Sequence, residues 1–138
     1  MPSTSPVHKQ VGVAAIANPQ GKILIARRKD RGEMAGLWEF PGGKIEPGET
    51  VEECIEREIK EELDIEIVVG DRLTTITHAY KTFNVTLYVH ECQHVSGEPQ
   101  PLECQEIHWV EPTDMDRYNF PQANIQIINL LQQRGMSR

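Results

Sequence analysis

The chain has 138 residues, 38% hydrophobic and 25% charged, the composition of one ordinary folded domain with its own core. Lys and Arg number 14 against 21 Asp and Glu, a net charge of −7, so the chain is a poor match for the phosphates of duplex DNA. No apolar run approaches the ~18 residues of a membrane span, and Cys54, Cys92 and Cys104 are too few and too scattered for a disulfide frame or a zinc site, which points to reduced thiols in a cytoplasmic protein.

Residues 1–7 are polar and rich in Pro and Ser and predict a flexible N-terminal tail ahead of a single domain over 8–138. The opening MPSTSPVHKQ lacks an apolar run, so no signal peptide is expected. Residues 10–17 are small and apolar and predict a buried strand. Asn18-Pro19-Gln20-Gly21 is a turn signal, and Ile23, Leu24 and Ile25 then complete a hairpin. Residues 29–34 are charged and loop-like. Leu37-Trp38-Glu39-Phe40 predicts an extended piece that breaks at Pro41-Gly42-Gly43, and Pro47-Gly48 marks a second turn.

From Glu49 to Leu63 there is no Gly or Pro, and the composition predicts a helix. Residues 73–79 and 83–90 predict two strands, 97–101 a loop and 107–110 a short strand. Pro121 opens a final helix, with a glycine stop near Arg134-Gly135. Trp38 and Trp109 are expected in the core, and His78 and Tyr80, at strand spacing, either line a pocket or take part in ordinary strand packing, the latter being the expectation. The order of strands, helix, strands, helix makes this a mixed α/β (α+β) domain.

The helix over 49–63 carries the chemistry. On a wheel of ~100° per residue, Val51, Ile55, Ile59 and Leu63 form an apolar stripe with Cys54 at its edge. Glu53, Glu56 and Lys60 lie opposite. Glu58 and Glu62 fall within the stripe and Glu61 beside it, although buried carboxylates are costly unless paired or bound to a cation. Arg57 alone does not neutralise three of them. Two readings stand at this point: an acidic helix with a solvated face, or a site for a hard divalent cation such as Mg2+, which takes oxygen ligands.

The stretch from Gly43 to Ile65 resembles the Nudix box, G-x5-E-x7-R-E-U-x-E-E-x-G-U, where U is a bulky aliphatic residue. Gly43 opens it, Glu49 follows, then Arg57-Glu58-Ile59, Glu61-Glu62 and Ile65. Asp64 stands where the family has glycine. A left-handed helix end is expected there, which Asp tolerates better than most residues. LWEFPGGK before the box, Arg27-Arg28, Glu103 and NFPQAN at 119–124 are similar to MutT-type Nudix proteins, the 8-oxo-dGTP diphosphatases, so the resemblance covers residues 8–134.

The resemblance implies an α/β/α sandwich with a central mixed sheet. It implies hydrolysis of a nucleoside triphosphate to a monophosphate and pyrophosphate with Mg2+, or Mn2+ as a substitute. The expected role is cleansing of the nucleotide pool for DNA replication, a form of DNA repair by mutation avoidance. By match to the motif, Glu58, Glu61 and Glu62 hold metal, with the Gly42 carbonyl and Glu103; Glu106 is a rival for Glu103. Either Glu58 or Glu103 is the general base. Glu49 and Arg57 orient the ligands. Arg28, Glu39, Phe40, Pro41, Gly42 and Asn124 correspond to substrate-binding positions. The partner implied is a small nucleotide, not duplex DNA or a membrane. The alternatives are a Nudix pyrophosphatase for another nucleoside triphosphate or for 5′-triphosphate RNA ends, and a non-catalytic Nudix-fold recognition module.

Overall fold

Residues 13–16 and 23–26 are continuously apolar, and such runs belong in a sheet covered on both faces. The computed structural model describes residues 7–32 and 34–136. Its strands are β1 (Val7–Ala17), β2 (Ile23–Arg27), β3 (Trp38–Glu39), β4 (Gly42–Lys44), β5 (Glu66–Ala79), β6 (Phe83–Ser96) and β7 (Glu106–Val110); its α-helices are α1 (Val51–Leu63) and α2 (Ile125–Met136). The sheet runs β3-β2-β1-β6-β5, with β4 beside β1 and β7 beside β2. β1 and β6 are parallel, while β1–β2, β1–β4 and β5–β6 are antiparallel, so the sheet is mixed.

Alternation along the strands divides the core in two. Val13, Ala15, Ile23 and Ile25 join Leu87 and Val89 under Ile127, Ile128 and Leu131 of α2. Ala14, Ile16 and Leu24 face the other way, under Ile55, Ile59 and Leu63 of α1. Each fully buried aliphatic side chain contributes roughly 1.5–3 kcal/mol. The result is the expected α/β/α sandwich. The β1–β2 hairpin closes where the Asn-Pro-Gln-Gly signal puts it: Asn18 Oδ1 accepts the N–H groups of Gln20 (3.0 Å) and Lys22 (2.9 Å).

Several boundaries differ from the sequence pattern. β1 takes in Val7, the last residue of the expected tail; the rest of that tail, 1–6, lies outside the described residues, as does Glu33 of the charged loop. β5 begins at Glu66 and β6 runs on to Ser96, well beyond their apolar segments. Residues 66–72 and 91–96 alternate without a clean apolar face, and the pairing shifts register between Val69 and Arg72. Residues 122–124 form a 3-10 turn ahead of α2, and α2 continues through Gly135 to Met136 instead of stopping there. Trp38 is in the core as expected, whereas Trp109 is only partly buried against the α1-side cluster.

Both ends of α1 are fixed by local chemistry. The Glu53 N–H donates to Thr50 Oγ1 (3.0 Å) and the Thr50 N–H donates to Glu53 Oε1 (2.9 Å), a reciprocal cap that starts the helix at Val51. At the other end Asp64 has φ 54° and ψ 44°, the left-handed conformation expected for the position where the box carries glycine. Its carboxylate lies 3.0 Å from the Lys60 ammonium, an exposed pair of small value. Asp64→Gly is therefore expected to stabilise the protein by up to ~1 kcal/mol in chemical denaturation. A loss of stability would show that the pair with Lys60 outweighs the backbone strain.

Candidate active site

Helix α1 lies against the sheet along its apolar stripe, and this brings its glutamates onto the turn after β3. Two glycines make the approach possible. A Cβ on Gly42 would stand 2.1 Å from the Gly12 carbonyl oxygen of β1, a clash of backbone with side chain that nothing relieves. A Cβ on Gly43 would stand 2.2 Å from the Glu58 carboxyl carbon. The turn is pinned from behind, because the carbonyl of buried Pro41 accepts the Ala14 N–H (2.8 Å).

Arg57 organises the outer carboxylates. Its Nε and Nη2 donate to the two oxygens of Glu49 (2.6 and 2.9 Å), and its Nη1 donates to Glu58 (2.8 Å) and Glu61 (3.3 Å). A further bond to the Lys44 carbonyl (3.2 Å) ties the helix to β4. These bonds from Arg57 hold the Glu49 carboxyl down at about 2. Glu58 moves the other way: burial raises its pKa, with Arg57 opposing.

Glu62 is the exposed inconsistency. It accepts one long bond from the Gly42 N–H (3.2 Å), and no cation pairs with it among the described residues. Burial first, then the charges of Glu39, Glu58 and Glu103, push it up to about 9.

Glu103 reaches the same place on the loop 97–105, which is strung between two anchors. The N–H groups of Gln100 and Leu102 donate to the Leu63 and Glu62 carbonyls (2.9 and 3.2 Å) at the end of α1. The Gln105 N–H donates to the Arg27 carbonyl (2.9 Å), and its side-chain amide donates to the Arg28 carbonyl (2.8 Å) and Asp30 (3.0 Å).

Between these elements opens a cleft of about 490 Å3. Glu58, Glu62, Glu103, Gly42 and Gly43 line one end; Arg28, Glu39, Phe40 and Asn124 line the other. Arg28 donates to Glu39 (2.9 Å). Burial raises the Glu39 pKa against the opposing pull of Arg28. Asn124 is only 9% exposed, yet its side-chain amide has no partner among the described residues.

Of the residues singled out in the sequence, most meet on this cleft. Glu61, Arg57 and Glu49 stand just outside its lining, and Pro41 sits behind it. Glu106 lies in β7 beside His108 (3.4 Å), so Glu103 and not Glu106 faces the cleft. The sequence reading missed the lining from Val13 and Leu87 and the basic rim of Lys29, Arg31 and Lys44. Strand alternation carried the signal for Val13 and Leu87, and the run Arg27–Arg31 for part of the rim.

The model of the NUDIX domain matches residues 12–130. The chain belongs to the Nudix family. It is 34% identical to an 8-oxo-dGTP diphosphatase of Haemophilus influenzae, over 88% of this chain and 90% of that one. It is 35% identical to a CTP pyrophosphohydrolase of Escherichia coli K12, over 84% and 86%. The crystal structure of a MutT protein from Methanosarcina mazei Go1 superposes with a TM-score of 0.84 at 25% identity, over 96% of this chain and 99% of that one. The chain is thus a MutT-type Nudix hydrolase, an enzyme acting on phosphoric anhydride bonds. None of its described helices is long and apolar enough to cross a membrane.

The residues of this Nudix site fit a divalent cation. Every donor facing the carboxylate end is a hard oxygen, and Glu62 lacks any compensating charge. Among the described residues no three acidic, His or Cys side chains are already drawn together as a cation cage. Arg57 holds Glu58 and Glu61 instead, as mutual repulsion of free carboxylates requires.

Two outcomes follow from this geometry. A carboxyl raised in the folded state contributes stability that is fully present below its unfolded value of 4.5 and lost as pH rises through about 9. Without divalent cations, the melting temperature of the native protein should therefore fall across that window. Glu62→Gln should flatten the fall and raise stability at pH 8; an unchanged pH profile would contradict the burial of an ionisable Glu62. Gly43→Ala should cost little stability, because the colliding group is the mobile end of Glu58, yet lower turnover at least tenfold by displacing that carboxylate.

Proposed function

We propose that the protein is a Mg2+-dependent nucleoside triphosphate pyrophosphohydrolase whose preferred substrate is 8-oxo-dGTP, giving 8-oxo-dGMP and pyrophosphate in the cytoplasm. Residues 8–138 act as one catalytic unit. In this reading the carboxylates of Glu58, Glu61, Glu62 and Glu103, with the Gly42 carbonyl, hold the cation. Bound there, Mg2+ (or Mn2+) supplies charge neutralisation for the polyphosphate and lowers the pKa of a bound water. Glu49 fixes Arg57, and Arg57 in turn sets the positions of Glu58 and Glu61. Water adds to one phosphorus, the bridging P–O bond breaks, and Glu58 or Glu103 takes the proton that the water gives up. Lys29, Arg31 and Lys44 at the rim offset the net charge of −7 where the triphosphate enters.

The observation that carries the choice of base is Asn124. Its side-chain amide has no protein partner among the described residues and its polar atoms open to the cleft, so it is free to bond a ligand that enters. A carboxamide presents a donor beside an acceptor. Oxidation of guanine at C8 turns N7 from an acceptor into a donor, next to the O6 acceptor, and that edge satisfies both Asn124 atoms at once. Unmodified guanine leaves one of them unpaired. Phe40, Val13 and Leu87 give the base an apolar bed. The relative of Haemophilus influenzae, named for 8-oxo-dGTP, supports the same reading. The relative of Escherichia coli, named for CTP, supports a second one, since cytosine also sets a donor beside an acceptor.

Release of monophosphate and pyrophosphate from 8-oxo-dGTP, dGTP and CTP decides between them. We expect kcat/KM for 8-oxo-dGTP to exceed that for dGTP by at least ~100-fold, about 2.7 kcal/mol, because a mismatched base leaves site groups unpaired. Asn124→Ala should lose most of that preference. Equal use of the two nucleotides, or a preference for CTP or RNA ends, would overturn the assignment of the base. Glu58→Gln and Glu62→Gln should each lower kcat by two or more orders of magnitude while the fold persists. Near-normal turnover in both, with unchanged Mg2+ affinity, would overturn the cation site itself.

A further inference from the structure

The turn that presents Asn124 lacks a cap of its own. The first N–H groups of any helical segment have no partner inside it, and Pro121, at the start of the 3-10 turn Gln122–Asn124, provides no side-chain bond to them. The Ala123 N–H is one of these groups, and Ala123 is buried. It donates to the hydroxyl of Tyr80, 43 residues away in sequence and 2.9 Å away in space. Tyr80 therefore caps, from the end of β5, the turn that ends in Asn124. The neighbouring Asn124 N–H closes on the Pro121 carbonyl (3.0 Å), so the two successive peptides that lead into Asn124 are each held by one bond.

Tyr80 is itself a firm anchor. Its N–H donates to the Phe83 carbonyl (2.8 Å), and its ring packs against Phe83 (5.0 Å) and His78 (4.5 Å) between centroids. It does not line the cleft, so it touches no bound base directly. We propose that Tyr80 is a positioning residue for base recognition, its hydroxyl setting the direction of the Asn124 carboxamide through the Ala123 N–H. This rests on the reading that Asn124 holds the base. Its structural basis is independent of which base that is.

The test is a cycle of Tyr80→Phe, Asn124→Ala and the double variant, measuring kcat and KM with Mg2+ for 8-oxo-dGTP, dGTP and CTP. A net hydrogen bond is worth about 0.5–1.5 kcal/mol. Tyr80→Phe should accordingly narrow the native selectivity, whichever base it favours, by about 3–10-fold in kcat/KM, mainly through KM for the preferred nucleotide. The double variant should be no less selective than Asn124→Ala alone. Amide exchange at Ala123 should speed up in Tyr80→Phe, a readout that needs no substrate.

Selectivity unchanged in Tyr80→Phe, or reduced by the same factor whether or not Asn124 is present, would overturn the role of Tyr80. A native preference for CTP would remove the 8-oxo-dGTP assignment while the cycle still decides on Tyr80. Selectivity untouched by Asn124→Ala would overturn the premise and the proposal together.

Discussion

Glu39, Glu58, Glu62 and Glu103 face one cleft, and the two guanidinium groups nearest them, on Arg28 and Arg57, reach Glu39 and Glu58. The other features of the site are arranged around this imbalance. The apolar stripe of α1 must lie on the sheet, since Ile55, Ile59 and Leu63 are fully buried there. Glu58 and Glu62 share that side of the helix, so packing carries them inward whether or not charge favours it. At roughly 1.5–3 kcal/mol for each buried side chain, the stripe opposes the penalty of the carboxylates that travel with it. The missing Cβ of Gly43 then gives the Glu58 carboxylate somewhere to go, and that of Gly42 lets the turn lie against β1.

Charge falls along a gradient through the site. Glu49 is held at about 2 by two bonds from Arg57 and stays ionised at any ordinary pH. Glu58 feels both burial and a single bond from Arg57, and burial prevails. Glu62, deepest and without a guanidinium, is pushed to about 9. One arginine thus supports the outer half of the cluster and leaves the inner half short of positive charge. On the proposed reading, a small dication meets that shortfall in place of a second basic side chain and leaves room for a phosphate.

The sequence was most readable where one local rule decided the outcome. The spacing of Val51, Ile55, Ile59 and Leu63 located the buried side of α1, although the helix starts at Val51 behind its Thr50 cap and not at Glu49. Asp64 at the glycine position of the box is left-handed, as the backbone there demands. Residues outside an apolar pattern were harder to read. The first part of β5 and the last part of β6 pair through their backbones while their side chains alternate around bulges, so hydrophobicity marks neither. Tyr80 looked like strand packing, and its ring is indeed in such packing; its hydroxyl acts across 43 residues, a distance that no local pattern encodes. The choice of Glu103 over Glu106 likewise depended on where the loop 97–105 is anchored, at Leu63, Glu62 and Arg27.

The two ends of the cleft are built differently, and on the proposed reading this separates chemistry from choice of base. The carboxylate end is fixed by close backbone contact: Gly42 against Gly12, Gly43 against Glu58, and Arg57 against the Lys44 carbonyl. Few substitutions fit there. The far end is tied by bonds between distant elements, Trp38 N–H to the Asn119 carbonyl (2.8 Å) and Ala123 N–H to the Tyr80 hydroxyl, with Phe40 stacked on Phe120 (5.3 Å). On the proposed reading, a change of a few residues at that end would redirect the donors and acceptors offered to a base while the oxygen cluster proposed to meet the phosphates stayed in place. One constellation of glutamates would in this way be compatible with different nucleobases, because the groups proposed to select the base hang from other parts of the chain than the glutamates do.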